Sequence, residues 1–389
     1  MGDASPELIF QQQDEPVLVA PDTTSYQFYI TDLESRLGPY ARGLSEQLLG
    51  LGTAYQGQGL HEQAIRVFKR GMHLARVNNG LQSAEQIPLL QGMIRSLVAS
   101  GDFEKADEKQ RYLYRVQSKI YEPGAPQMAT AMLQRAAWER QAYYLAVGDV
   151  AFTRLLTMWQ LYGAALTNIA STNGNYSTAL LQPLQGLLQT QYMIASFGGK
   201  TQFGFVAGSA ANNHYVEKNR FGAIRSSNYR QGQAVIAALR EVYEYNDGEM
   251  SPQAAQTWVQ LGDWHLWNDK QDSAKLAYQQ AWEKLGELED SEVQQTAYFT
   301  QPVLLPDIEG SARDLLPPEN ISGYAEVSYY INRRGRVKDL EITQLEPVDE
   351  TDNRQPVRLL RRIKYMRYRP IFVDGEAVAT ETITKRYAY

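Results

Sequence analysis

Two stretches of this chain place small and apolar residues at the same offsets, and that shared register limits the fold more than any other feature. In LLGLGTAYQGQGLHEQAIRVFKRGMHLA, the residues Leu48, Leu51, Gly52, Tyr55, Ala64 and Phe68 fall at helical spacing on either side of a Gly-containing turn. In TWVQLGDWHLWNDKQDSAKLAYQQAWEKL, Trp258, Leu261, Gly262, His265, Ala274 and Tyr278 hold the same offsets. Each stretch predicts two antiparallel helices, because apolar residues three and four positions apart share one helix face. Small Gly52 and Ala64 let the two axes approach, while Leu51, Tyr55 and Phe68 fill the seam. One hairpin cannot bury both of its apolar faces, so at least three must stack.

The offsets are those of W-x2-L-G-x2-Y followed by A-x3-F, and both stretches resemble tetratricopeptide (TPR) repeats. His265 stands where the pattern has Tyr. Weaker copies lie between them: IPLLQGMIRSLVASGDFEKADEKQRYL keeps Leu90, Leu97, Gly101 and Ala106, and AAWERQAYYLAVGDVAFTRLLTMWQLY keeps Tyr144 and Gly148. The expected organisation is a flexible N-terminal segment, 1–25, then a TPR-like helical domain, 26–286, opened by a capping helix from Tyr26 to Arg42. Within 176–245 a further hairpin is expected from helices around Leu180–Phe197 and Tyr229–Tyr245, split by a Gly-, Asn- and Ser-rich insertion at about 198–228. The resemblance implies an all-α superhelical solenoid with a concave groove lined by the first helix of each hairpin. It nominates Asp263 and Trp267 as groove residues that bind a partner, with packing on the neighbouring repeat as the other role for Trp267.

Past Gly286 the helical period fails. GELEDSEVQQTAYFTQPVLLPDIEGSARDLLPPENISG brings acids together with Pro302, Pro306, Pro317 and Pro318, and predicts a linker over 287–318. From Glu319 onward the chain has 13 Lys/Arg against 11 Asp/Glu, whereas residues 1–318 have 25 against 33, so the two parts differ in electrostatic sign. In YAEVSYYINRRGRVKDLEITQL two β-rich runs flank NRRGR, a hairpin signal with Gly335 suited to positive φ. Val327, Tyr329 and Ile331 alternate onto one face. NRQPVRLLRRIKYMRYRP predicts a short amphipathic helix with Leu359, Leu360 and Ile363 inward, ended ahead of Pro370 because the residue before a proline disfavours helix. A last strand, ATETITKRY, follows a turn at Asp374 to Glu376.

Gly323, Val327 and Ile331, then Gly335, Arg336 and Val337, then Arg358 to Ile363 with Tyr368, Arg369, Pro370 and Gly375, stand in the order of the C-terminal domain of TonB energy transducers, which residues 319–389 resemble. The resemblance implies a small α+β domain of order β-β-α-β, whose last strand is a sheet edge that accepts a segment of an outer-membrane transporter as a further strand. Carried onto this chain, it nominates Thr380, Thr382, Thr384 and Arg386 as the partner-binding edge. An edge covered by the linker, or by a second copy of the chain in a homodimer, is the alternative. The run VRLLRRIKYMRYR holds six cations and no acid. Its helix nominates Arg358, Arg361 and Arg362 as a basic partner-binding face that steers an acidic partner or the acidic repeats of the same molecule. The chain departs from the TonB pattern in having repeats where the family has a membrane helix and a Pro/Lys-rich spacer.

Composition narrows the chemistry further. With 43% apolar and 21% charged residues the chain reads as globular, and its net charge of −6 argues against a nucleic-acid partner. The absence of cysteine removes disulfides, thiolate metal sites and cysteine nucleophiles. None of His61, His73, His214 and His265 is paired at metal-ligand spacing; a zincin helix starting at His61-Glu62 would need a second His where Ile65 stands. GGKT at 198–201 resembles the end of a phosphate loop, but Ile194 occupies the position that must be Gly. There is no G-x-S-x-G elbow. No run reaches about 18 apolar residues, so no membrane span is expected in this chain. The expectation is a non-enzymatic adaptor with no catalytic residue, cofactor or metal. It would bind protein partners through the TPR groove and by strand addition, assisting TonB-type transport from the periplasm after removal of a signal peptide. The alternative is a general TPR scaffold, cytoplasmic if no signal precedes it, whose C-terminal domain is a cap or dimerisation module.

Overall fold

The computed structural model describes residues 23–148, 151–199, 209–306, 323–346, 354–373 and 375–388, with 209–215 and 354 described by backbone alone. Residues 1–22 of the expected N-terminal segment lie outside these. The helices do not form one domain over 26–286: among the described residues one compact unit takes 23–174 with 199 and 209–217, and the other takes 175–198 with 218 onward.

The first unit holds α1 (Thr23–Leu37), α2 (Leu44–Gly57), α3 (His61–Asn79), α4 (Gln86–Ala99), α5 (Phe103–Ile120), α6 (Pro126–Tyr144) and α7 (Ala151–Asn173), each packed on the next. Its hairpin turns repeat one hydrogen bond. The amides of Leu60 and Asp102 donate to the carbonyls of Tyr55 and Leu97 at 2.9 Å each, and that of Val147 donates to Ala142 at 3.0 Å. Each bond closes over a left-handed residue, Gly59 (φ 71), Gly101 (φ 74) or Ala146 (φ 51), the helix-ending geometry that favours glycine. In the third turn Ala146, and not Gly148, takes the closing position.

Close approach of α2, α3 and α4 explains the small residues. A Cβ on Gly52 would lie 2.3 Å from Phe68 Cε1, and one on Gly92 would lie 2.6 Å from Phe68 Cζ, so two glycines clamp one ring. Farther along, α5, α6 and α7 bury two acids and two bases together. Arg154 bonds Asp107 at 3.1 Å and Glu139 at 2.7 Å, Arg135 pairs with Glu139, and the Trp138 indole donates to Asp107 at 2.7 Å. Burial alone would raise the Asp107 pKa; hydrogen bonds from Arg154 and Trp138, with the charges of Arg154 and Arg135, outweigh it and hold the carboxyl below its usual range.

The second unit takes residues 175–198 and 218 onward. It opens with a 3-10 turn (Thr178–Leu180) and α8 (Leu181–Ser196), followed by the part of α9 (Ser209–Asp247) from Lys218 on. The expected irregular insertion is therefore helical from Ser209 to Asn228, while 200–208 lie outside the described residues. Its composition suggested a loop, but Phe221 and Ile224, three positions apart, are both buried on one helix face. Next come α10 (Pro252–Trp267) and α11 (Gln271–Gly286), the second clear repeat. Here Lys270 donates to His265 at 2.9 Å over Asp269 (φ 60), the same closure as in the first unit.

The expected linker is built into this unit along its first half. It forms α12 (Ser291–Phe299) and β1 (Val303–Leu304), with Phe299 and Leu305 fully buried. Prolines 302 and 306 suggested a spacer, yet the apolar residues between and before them seat the chain on α11. The terminal module follows: β2 (Tyr324–Ile331), β3 (Val337–Glu346), α13 (Arg354–Lys364), β4 (Tyr368–Arg369), β5 (Ile371–Val373), β6 (Glu376–Val378) and β7 (Ile383–Ala388). Hairpin, helix and last strand occur in the expected order, with three short strands added before β7. The main sheet is antiparallel in the order β3-β2-β7; β4 pairs with β1, and β5 with β6. Ala325, Val327, Tyr329 and Ile331 of β2 form one buried face against Leu359 and Ile363 of α13.

Candidate functional site

The central strand β2 is flanked on both sides, by β3 and by β7, whereas β7 is paired on one side only among the described residues. Strand β7 is held from within. Tyr387 and Tyr329 share a hydroxyl hydrogen bond of 2.7 Å, and Tyr329 lies 3.3 Å from the Tyr368 hydroxyl. Burial, followed by the Tyr329 hydrogen bond, pushes the Tyr387 pKa well above the ordinary tyrosine value, so the Tyr387 hydroxyl keeps its proton at any physiological pH.

The four nominated edge residues occupy different environments. Thr384 sits on β7 opposite Ser328 and is exposed. Arg386 sits opposite Glu326, but its guanidinium crosses the sheet face to Glu346 at 2.7 Å and lies 4.5 Å from the Tyr324 ring centroid. Thr382 is exposed just before the strand. Thr380 is not on the edge strand: its amide donates to the Ile331 carbonyl and its hydroxyl accepts from the Ile331 amide, both at 2.9 Å. Thr384 and Thr382 thus remain outward-facing, Arg386 covers the sheet, and Thr380 closes the end of β2.

The basic run is divided by the fold. Arg358, Arg361 and Arg362 lie exposed on α13, as their spacing with Leu359 and Ile363 requires. Arg367 and Arg369 turn away to meet acids of the α10–α11 hairpin. Arg369, 2% exposed, bonds the Asp263 carboxylate through Nε at 2.9 Å and Nη2 at 2.6 Å, and Asp263 also accepts from Tyr278 at 2.7 Å. Asp263, 3% exposed, is therefore closed off from outside partners by the chain's own terminal module, which corrects its assignment to an open groove. The reason is sequence-distant: its counter-ion lies past the TPR-like region, where repeat geometry says nothing.

Trp267 packs edge-on to Tyr192 of α8, with ring centroids 5.6 Å apart, and Arg367 stacks 5.4 Å from its centroid. It serves packing on neighbouring elements, the other role its position allowed. Asp269 binds Arg367 at 3.0 Å and also pairs with Arg336. Around this ionic joint Phe372 enters an aromatic cluster, 4.7 Å from Phe299 and 5.3 Å from Tyr278 between centroids. Gly335 (φ 68) makes the approach possible, since a Cβ there would lie 1.9 Å from the Tyr368 carbonyl oxygen and 3.0 Å from Leu266 Cδ2. Arg369 stands in the TonB-like signature, which does not itself assign it to a joint. The available signal was a cation directly before Pro370, hence on an extended segment and off the solvated helix.

In chemical terms the module offers a strand edge that is unpaired among the described residues and a cationic helix face. Among the described residues no group of three or more His, Asp or Glu side chains is placed to hold a metal ion, and no helix is long and apolar enough to cross a membrane. No family model and no curated protein matches the chain. Among solved structures, BtubC (BKLC) from P. vanneervenii is similar over 67% of this chain and 89% of its own, at 12% identity and a TM-score of 0.39. A Podosopora anserina structure of kinesin light chain nearly identical TPR-like repeats is similar over 64% of this chain and 100% of its own, at 11% identity and a TM-score of 0.42. At those scores the TPR-like description rests on the hairpins themselves, their shared offsets and their repeated turn bond.

Proposed function

We propose that this protein is a non-enzymatic interaction scaffold, in which TPR-like hairpins carry a TonB-like terminal module that binds an extended partner segment by strand addition at β7. The observation that supports it most directly is the edge of β7, singly paired among the described residues. An open edge presents backbone N–H and C=O groups in fixed register, which supply affinity while the flanking side chains select sequence. The resemblance of 319–389 to TonB domains makes a segment of an outer-membrane transporter the partner of choice and the periplasm its compartment.

A second reading has support of its own. The Asp263–Arg369 pair and the Phe372 cluster make the module a cap on the last hairpin. Capping accounts for β4 to β6 and leaves the β7 edge unexplained, so strand addition is preferred. The test is hydrogen exchange on the full chain with peptides from outer-membrane transporters. Outward-facing amides of β7 should gain protection, and a proline scan over Thr384, Lys385 and Arg386 should abolish binding at the alternate position whose N–H faces away from β2. Peptides that do not bind, or that bind without protecting β7, refute strand addition and leave the cap.

A further inference from the structure

A groove of about 680 Å³ lies in the first unit across α3, α4 and α5, and the terminal module plays no part in it. Its floor is apolar, with Met72, Met93 and Leu97 all buried. Its walls are cationic. On α3, Lys69 and Arg76 are seven positions apart and share one face; on α5, Lys105, Lys109, Arg111 and Arg115 line the opposite side. One acid, Glu108, stands among them. Such a concentration of one sign is unusual for a chain of net charge −6, and a recess focuses its field.

Local pairing uses part of that charge. Lys105 is held by Asp102, Lys109 by Glu108 at 2.8 Å, and Arg111 reaches Asp107 at 3.5 Å. Lys69 and Arg115, one on each wall, are exposed and form no ion pair among the described residues. The α3 and α5 walls are the second helices of their hairpins and the floor alone comes from a first helix, α4, so the cations of this groove are not among the first-helix residues that the TPR resemblance assigns to binding.

We propose that this groove binds a short acidic peptide segment of a partner protein, its carboxylates pairing with Lys69 and Arg115 and its apolar side chains settling on half-buried Ile65 and Tyr112 at the Met72, Met93 and Leu97 floor. The apolar floor favours a peptide over a nucleic acid. Methionine and leucine accept varied aliphatic side chains, whereas a single-stranded nucleic acid needs a row of aromatic faces, and Tyr112 is the one aromatic in the lining. This surface does not depend on the strand-addition reading, and either can fail alone.

The test is fluorescence anisotropy on the full chain with a short labelled peptide of alternating glutamate and leucine. Binding should weaken with added salt. It should also weaken when serine replaces leucine in the peptide. Lys69→Glu combined with Arg115→Glu should lower affinity at least about tenfold, since reversing two flanking charges replaces attraction with repulsion. Both side chains are exposed, so far-UV circular dichroism should not change; if it does, Lys69→Gln with Arg115→Gln should still weaken binding severalfold. Equal binding of a lysine-for-glutamate peptide, unchanged affinity in the folded charge variants, or equally tight competition by a single-stranded oligonucleotide would each overturn the proposal.

Discussion

Arg369→Met isolates the ionic joint between the terminal module and the α10–α11 hairpin. It removes the cation and keeps most of the apolar volume, leaving the Asp263 carboxylate 3% exposed with Tyr278 as its remaining hydrogen-bond donor. Breaking a buried pair by deleting one partner costs about 3–5 kcal/mol, mostly the penalty of an uncompensated charge in low dielectric. Taking about 4 kcal/mol, and a factor of ten per 1.4 kcal/mol, amides whose exchange requires undocking of β4 to β6 should exchange about a thousandfold faster. Hydrogen exchange suits the question better than a melting curve, because two compact units need not unfold in one transition. Adding Asp263→Asn to Arg369→Met removes the stranded charge while preserving an acceptor for Tyr278, and should restore most of the protection. An acceleration below about tenfold in Arg369→Met, or no rescue by the double variant, would refute the claim that this pair closes the joint.

Two further outcomes follow from the packing. Gly52→Ala drives a Cβ into the Phe68 ring and should destabilise the first unit by about 1–3 kcal/mol in urea unfolding, with Phe68→Leu in the same chain recovering part of the loss. Burial lowers the His265 pKa, and its ring accepts or donates at Nδ1 to the Tyr229 hydroxyl at 2.8 Å, so the folded second unit favours the neutral ring. Its stabilising contribution is complete above the unfolded value of about 6.5 and is lost as pH falls from there through the lower folded value; His265→Tyr, the residue of the repeat pattern, should flatten that part of a stability-versus-pH profile.

Much of the local architecture can be read directly from residue order. Gly52 opposite Phe68 and Gly262 opposite Tyr278 are the same solution to close helix approach, and their offsets announce it because helix geometry puts residues three and four apart on one face. The NRRGR turn is equally local: Asn332 Oδ1 accepts from the amides of Arg334 and Arg336 at 3.0 Å each, and Gly335 supplies the positive φ. Alternation along β2 identified Val327, Tyr329 and Ile331 as core. At 209–228 and at 291–304 the composition is that of an insertion and a linker, whereas apolar residues at helix and strand spacing fold these stretches into α9, α12 and β1.

Residue order could not say which charged faces meet. Asp263 and Arg369 stand 106 positions apart, and each alone looks like a solvated charge on its own element. Asp107, Glu139, Arg135 and Arg154 likewise come from three helices and become a buried network only when those helices pack. The cations of α3 and α5 form a groove because α4 holds them on two sides of one apolar floor. Helix and strand periods are short-range properties of the backbone, set by a few neighbouring dihedrals. The pairing of charges across elements depends on docking angles that many dispersed contacts decide together, and that is why the joint and the groove emerge at the tertiary level alone.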